Sequence, residues 1–502
     1  MPYSLLTLLA FASLSSSVPA SAPGEKGYFV PFSRLPGIGA GRAELTDDII
    51  ARRARNMVES QTFAILRDPN AEAGAQRILG AQLQRLFNKA SSESGVPSSL
   101  LAAMAYLESW GDPRAQSPTG PRGIMQISAG TARAMGLRVV YQTRYRVQTQ
   151  TRKVRVKGKV VTRRVRVRVP YRVLVRDDRL VPERAIPAAA KYLARLSDKF
   201  GGLDWAVFAY HCGENCVASM RSLTEQARGI EPPYTVAKMF FAASPAVNRD
   251  LYLAIQYHMN RDYSPTYWFR VMRARELLEM YRKDRAEFRK LAAEYRAGME
   301  PKQRTPHRLA VWHGGGAASR SREALYSEGD RCPARIFEDP HYYGFRIRHT
   351  AESGCLPASP STLGALAYIA YETRRLHEAM NVRGERFVPL EVTAPAAPDA
   401  SAGESTRGKE FLQSIGHVLN INYAKLPPGQ REAFEFVMDE LGWEGYLGFI
   451  HAEGERHTLH VGCSPQSREF FEKVFAEAVE GKTDFSNTRE RASAGWFWRE
   501  AA

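Results

Sequence analysis

Residues 107–128 read Leu107-Glu-Ser-Trp-Gly-Asp-Pro-Arg-Ala-Gln-Ser-Pro-Thr-Gly-Pro-Arg-Gly-Ile-Met-Gln-Ile-Ser. The run before them, Leu100-Leu-Ala-Ala-Met-Ala-Tyr-Leu, predicts an apolar helix with Ser98 or Ser99 as its cap. Glu108 ends that helix. Residues three, four and seven before it are Ala105, Met104 and Leu101, so its carboxylate shares their apolar face. Desolvation there favours the neutral acid, the form that protonates a leaving group near neutral pH. By position alone, a solvated Glu at a helix C-terminus is the plainer reading. Downstream of Glu108 the sequence turns rich in Gly and Pro and predicts a loop.

Working outward, residues 44–110 carry helical periodicity, with Leu79, Leu83, Leu86 and Phe87 in the i, i+4, i+7, i+8 pattern. Residues 186–300 are again helical, interrupted near Pro232-Pro233. Pro301 to about Arg322 and Ala394–Gly408 are loose, Pro/Gly/Ser-rich stretches. Glu410–Lys482 alternates helix and strand, and Gly445–His451 with His457–Cys463 predict a β-hairpin.

With this frame in place, the 107–128 stretch resembles the lytic transglycosylase and goose-type lysozyme family. The family reads Glu-Ser, then Ser-Pro-x-Gly-x-x-Gly-Leu-Met-Gln. Here Glu108-Ser109, Ser117-Pro-Thr-Gly120, Gly123 and Ile124-Met125-Gln126 fit without a gap. A second signature, an Ala/Tyr/Leu-rich helix followed by Ala-Tyr-Asn-Ala-Gly, is similar to Ala188–Gly202 and Phe208-Ala-Tyr-His-Cys-Gly213. Ser264-Pro-Thr-Tyr267 stands for a third element, and the resemblance spans roughly residues 80–275. It implies a mainly α, lysozyme-like (muramidase) fold with a groove for peptidoglycan glycan strands. Glu108 would be the single acid/base. Ser117, Met125, Gln126, Tyr210, His211 and Tyr267 would bind substrate.

Glycosidases commonly use two carboxylates; this family's transglycosylases use one and let the substrate's N-acetyl group support the oxocarbenium-like centre. The same Glu then deprotonates the muramic 6-hydroxyl, giving a 1,6-anhydro product. Asp112, before Pro113, reads as a turn residue, whereas Glu214 keeps a hydrolytic, lysozyme-like route open. Two departures stand out: His211 replaces the family's Asn, and Cys212-Gly-Glu-Asn replaces Ala-Gly-Pro-Gly. They leave a catalytically weak, wall-binding scaffold as an alternative.

The C-terminal region presents His457-x-x-His460-x-x-Cys463, whose side chains point to alternate faces of a strand and so do not converge on zinc. A fainter resemblance, to zinc D-Ala-D-Ala carboxypeptidases, aligns Gln413 and Asn420 with two of that family's ligands and keeps only Glu453 and His460. It implies a degenerate domain without its metal. No cofactor or metal is expected in the chain.

Charge is concentrated. Arg138–Arg179 holds 15 Lys or Arg against two Asp, which is +13 of the chain's +17. Period-two alternation around Gly158 predicts two strands of about 16 residues, with Val on one face and Arg or Lys on the other. This basic ribbon is expected to guard its own edges or to hold anionic envelope polymer near the groove. Nucleic acid is not the expected partner, because few aromatics interleave the charges.

Residues 1–22 read as a secretory signal peptide, although no Lys or Arg precedes the apolar run, and no stretch reaches transmembrane length. An exported protein of the periplasm or cell envelope follows. There Cys212 with Cys216, and Cys332 with Cys355, are candidate disulfides, leaving Cys463. The expected organisation is multidomain. It runs as a signal peptide (1–22), an N-terminal helical segment (23–90), a catalytic domain (91–300) with the ribbon inserted at 138–179, a linker (301–330), a C-terminal α+β domain (331–485) and a tail (486–502).

Overall fold

Thr46 is extended, and its hydroxyl accepts the Ile49 N–H at 3.3 Å, so a helix starts at Asp47 with two acids in its first turn. This helix, α1 (Asp47–Leu66), opens the part of the chain that the computed structural model describes: residues 45–156, 158–259, 266–296, 344–348, 358–393, 417–452 and 455–479. The signal peptide, the 301–330 linker, the tail, Cys332, Cys355, Gln413 and Glu453 lie outside the described residues. Packing divides the chain at Pro69/Asn70 and at Arg195/Leu196, not at the composition breaks.

The smaller unit, residues 70–195, begins with α2 (Ala71–Ile78), α3 (Ala81–Ser94) and α4 (Ser98–Ser109). The periodicity from Leu79 to Phe87 is broken at Gly80, where α3 starts, and Phe87 is the fully buried member. Helix α4 is apolar all round because it is the core: Leu100 to Tyr106 are all buried. Its cap is not serine. Pro97 takes the N-cap position without a side-chain bond, and its carbonyl accepts the Leu100 and Leu101 N–H groups. Gly74 on α2 lets this helix press against α4, since a Cβ there would sit 3.0 Å from Trp110 and 3.1 Å from Tyr106. The Tyr106 hydroxyl donates to Ala71 O at 2.8 Å across the same contact.

After α5 (Ala129–Ala134) come strands β1 (Val139–Val156) and β2 (Lys159–Asp177), an antiparallel pair with Val156 opposite Lys159 at the turn and Val139 opposite Asp177 at the base. Gly158 has φ +80°, which the tight turn requires. The two faces are less cleanly divided than the alternation in β2 predicts. Arg164, Arg166, Arg168 and Arg172 face with Thr151, Thr149, Val147 and Thr143, but the valine face of β2 also receives Arg144, Arg146 and Arg152 from β1. A 3-10 turn (Asp178–Leu180) then leads into α6 (Pro182–Phe200).

The larger unit comprises the residues through Pro69 and from Leu196. Its helices are α1, α7 (Leu203–Cys212), α8 (Glu214–Glu225), α9 (Val236–Ala242), α10 (Arg249–Met259), α11 (Tyr267–Lys283) and α12 (Arg285–Arg296). A five-stranded sheet follows, formed by β3 (Phe345–Arg348), β4 (Leu390–Thr393), β5 (Val418–Asn422), β6 (Leu447–Ala452) and β7 (Glu455–Cys463) in the order β3-β4-β5-β7-β6. β3 and β4 run parallel; every other pair is antiparallel. Helices α13 (Pro360–Met380) and α14 (Pro428–Trp443) pack on it, and α15 (Arg468–Val479) packs on α13.

The C-terminal region is not separate from the N-terminal helix. The buried Arg53 guanidinium of α1 pairs with Glu440 and with Glu444, lies 4.4 Å from the Phe241 ring, and is kept charged by the two carboxylates. Tyr252 meets Phe436 edge to face at 5.6 Å between centroids, and Phe240 meets Trp443 at 5.1 Å. These contacts, and not the composition breaks, set the boundary of the unit.

Candidate functional site

The apolar run that forms α4 also fixes where Glu108 stands: it is the second-last residue of the helix and half-buried. Trp110 ends the helix in the left-handed region, φ +53°, and donates to the Tyr106 carbonyl at 2.9 Å; Gly111, φ +74°, donates to Ala105 O at 3.3 Å. The chain therefore reverses directly after Glu108-Ser109. The Ser109 hydroxyl lies 3.1 Å from Ala105 O and 2.9 Å from Ile124 O. The serine of the Glu-Ser pair thus ties the end of the catalytic-candidate helix to the Gly123–Gln126 loop. Asp112 caps a turn, its Oδ1 accepting the Arg114 N–H at 2.8 Å, in line with its reading as a turn residue.

The loop is built almost wholly from its own polar groups. Ser117 Oγ is 2.8 Å from Thr119 Oγ1, and Ser117 N–H donates to Pro121 O at 2.9 Å. Gly123 N–H donates to Ala115 O at 2.8 Å. Gln126 is one of the few non-glycine residues with positive φ, +44°, and its side-chain amide donates to Ala115 O at 3.2 Å and Gly123 O at 2.9 Å. Both amide protons of Gln126 are committed to the loop, so a ligand would meet its carbonyl oxygen. Met125 is completely buried. Its side chain is enclosed by protein in this structure, where a glycan contact is expected from the sequence.

Sequence reasoning missed the groups that hold this loop from outside. Arg179, 1% exposed, directs Nε and Nη2 at the two Asp177 carboxylate oxygens (2.8 and 2.7 Å) and Nη1 at Gly120 O (3.2 Å) and Ile127 O (3.0 Å). One planar fork thereby joins the foot of β2 to both ends of the motif loop. Gly123 is obligatory here: a Cβ would lie 1.8 Å from the Arg179 carbonyl oxygen, and φ is +79°. Next door, Asp178 accepts from Arg138 N–H (3.1 Å), Arg176 Nε (3.0 Å) and Arg184 Nη1 (2.5 Å), and these hydrogen bonds hold its carboxyl down at about 2 against the cost of burial. The signal was present in the sequence, since Asp177 and Asp178 are the sole acids in the basic segment.

The remaining candidates lie in the larger unit. Tyr210 and His211 close α7, whose residues Asp204 to Ala209 are buried. The His211 ring stacks on Tyr267 with centroids 4.2 Å apart and planes 7° from parallel. Tyr267 is itself buried, so it supports His211 from behind. Glu214 begins α8 and is paired with Lys199 Nζ at 2.6 Å. Cys212 and Cys216 are thiols, not a disulfide; Cys212 closes α7 and Cys216 is buried in α8, with Gly213 at φ +93° making the joint. That left-handed glycine turns the chain without a cross-link.

In the sheet, β5 and β7 bring Asn420 and His460 side by side, with Oδ1 and Nδ1 2.5 Å apart. The buried Cys463 thiol donates to Ser361 O at 3.2 Å, and His457 is exposed.

The loop after α4 and the buried helix before it are similar to one class of glycan-cleaving domain: residues 85–152 and 161–231 match the family described as the transglycosylase SLT domain. The gap in that match falls at the ribbon turn. Among curated proteins, the peptidoglycan transglycosylase gp16 of Escherichia phage T7 is 38% identical over 130 residues, 26% of this chain and 7% of that protein. The membrane-bound lytic murein transglycosylase F of Alcanivorax borkumensis is 39% identical over 151 residues, 29% of this chain and 24% of the relative. The membrane-bound lytic murein transglycosylase F 2 of Alkalilimnicola ehrlichii is 50% identical over 54 residues, 11% of this chain and 12% of its own. The chain thus spans a quarter or less of the length of these relatives. The resemblance read from the motifs stands over this region; the zinc-carboxypeptidase resemblance gains no support, since the family match ends at residue 231.

Proposed function

We propose that this chain is a peptidoglycan lytic transglycosylase that cleaves the β-1,4 bond between N-acetylmuramic acid and N-acetylglucosamine with Glu108 as its one acid/base. The observation that carries this reading is the Ser109–Ile124 tie, which fixes Glu108 against the motif loop inside the segment similar to the SLT domain. In the first step the Glu108 carboxyl gives its proton to the glycosidic oxygen and the C1–O bond breaks. The N-acetyl oxygen of the muramic residue supports the cationic C1. Glu108, now a carboxylate, takes the proton of the muramic 6-hydroxyl as that oxygen bonds C1, and a 1,6-anhydro end results.

A single-carboxylate route is favoured because both other candidates are engaged: Asp112 caps its turn and Glu214 pairs with Lys199. Ser117 and Gln126 would contact glycan directly, Met125 would support the loop from below, and Tyr210 and His211, backed by Tyr267, would contribute from α7. The partners are glycan strands, with the basic ribbon as an anion-binding arm, in the periplasm or cell envelope of an exported protein. Among the described residues no helix is long and apolar enough to cross a membrane.

The test is digestion of purified sacculi with mass analysis of the released muropeptides. Wild type is expected to release anhydro-ended products one water lighter than hydrolysis gives, and Glu108→Gln to release none. Full-mass reducing ends would assign a hydrolytic muramidase instead. Binding without any release by the wild type would leave a wall-binding scaffold.

A further inference from the structure

Between Val139 and Arg176 the ribbon carries 13 Lys or Arg and not one Asp or Glu. The cations therefore have no internal counter-charge along the arm, unlike an ordinary solvated surface where both signs intersperse. The register divides them between the two faces, Arg144, Arg146, Arg152 and Arg163 lying on one and a row of β2 arginines on the other. Arg164, Arg166 and Arg168 occupy successive same-face positions of β2, with Arg172 two places further on, at a repeat of about 6.8 Å along the strand. Threonines stand opposite three of the four (Thr151, Thr149 and Thr143), short side chains that leave the guanidiniums reachable and add hydroxyls.

Two members of the row are also held in place. The Arg168 guanidinium lies 5.1 Å from the Tyr145 ring and Arg172 lies 4.5 Å from the Tyr141 ring. Pinning them on rings lowers the conformational cost of presenting their charge. All four arginines are exposed. On the other face the half-buried Val165, Val167 and Val169 interrupt the charge.

We infer that this arginine–threonine face is a docking surface for a linear phosphate-bearing polymer, which lies along β2 and engages the row one phosphate per guanidinium. The line of charges along β2 favours a chain over a lipid surface; of the exposed apolar side chains, Tyr145, Val147 and Val160 share the arginine face and Tyr171 lies on the other. Arginine suits phosphate because its planar fork meets two oxygens at once. This inference is independent of glycan cleavage.

The experiment measures binding of end-labelled linear inorganic polyphosphate to the full chain by fluorescence anisotropy across a salt series. Four engaged phosphates give a log–log salt slope of about −3, so affinity falls about 50-fold between about 50 and 200 mM salt. Arg164, Arg166, Arg168 and Arg172 all replaced by Gln should lose that slope. The same four replaced by Lys should keep most of the slope with weaker binding. Replacing Arg144, Arg146, Arg152 and Arg163 by Gln, on the other face, should cost little.

Equal losses from the two faces would overturn the assignment, as would no binding by the wild type at low salt. Capture of phosphatidylglycerol vesicles without polyphosphate binding would replace the polymer by a membrane. Preference for a DNA duplex over polyphosphate would replace it by nucleic acid. Sacculus digestion by each variant, expected to be unchanged, shows that the arm was altered and not the fold.

Discussion

Replacing Arg179 by Met tests whether the motif loop is held from the foot of the ribbon. The Asp177 side chain is 2% exposed, and its remaining cation would be Arg122 at 3.8 Å. The substitution therefore leaves a buried carboxylate nearly unpaired, a loss of about 3–5 kcal/mol. It also removes the donor that Gly120 O shares with Ile127 O. Urea unfolding of the full chain should show that loss in the transition of the smaller unit. Adding Asp177→Leu removes the stranded charge, so the double variant should recover about 1–3 kcal/mol relative to the sum of the singles. At temperatures where the single variant is folded, kcat on sacculi should fall about 10–100-fold while KM moves little, because a shift of about 1 Å at Gln126 spoils the reacting geometry. A stability change below about 0.5 kcal/mol, or full additivity of the pair, would refute the clamp.

Two further outcomes follow from single groups. Gly123→Ala forces a Cβ into the Arg179 carbonyl and keeps a positive φ, so it should destabilise by about 3 kcal/mol or more and abolish sacculus digestion, read by urea midpoint and turbidity. Burial, with Glu435 nearby, pushes the Asp439 carboxyl up to about 7. A carboxyl raised on folding contributes stability that is complete below the unfolded value near 4 and is lost as pH rises through about 7. Asp439→Asn should therefore raise the melting temperature at pH 8 and change it little at pH 4; an equal rise at both would dismiss the titration.

What the sequence disclosed was what is local in the chain. Glu108 could be placed on an apolar helix because its neighbours three, four and seven residues away decide the face, and the motif loop because its glycines sit at fixed short offsets. The ribbon was legible because strand alternation is a two-residue rule. The misreadings have equally local causes. Serines at 98 and 99 look like caps, yet Pro97, with its extended ψ, already supplies the turn into the helix. Cys212 and Cys216 look like a pair, yet a left-handed glycine between two helices does the turning.

Hidden entirely were partners brought together by the fold: Arg179 with Gly120, and Arg53 with Glu440 and Glu444. Buried charged groups carry no periodicity. Arg179 resembles every other arginine of its segment until its burial is known.

The antiparallel register of the ribbon sets what can vary and what cannot. Residues opposite one another can be trimmed from the Gly158 end in matched pairs, two from each strand at a time, and every remaining side chain keeps its face. Arm length is thus a free variable, open to shortening or extension without reaching the loop. The last three residues, Asp177 to Arg179, are different: they are the hinge-pin of the motif loop as well as the end of the arm. A cut that passes them removes support from Glu108's surroundings while leaving Glu108 itself untouched, so inactivity in such a truncation would say nothing about the arm's own task.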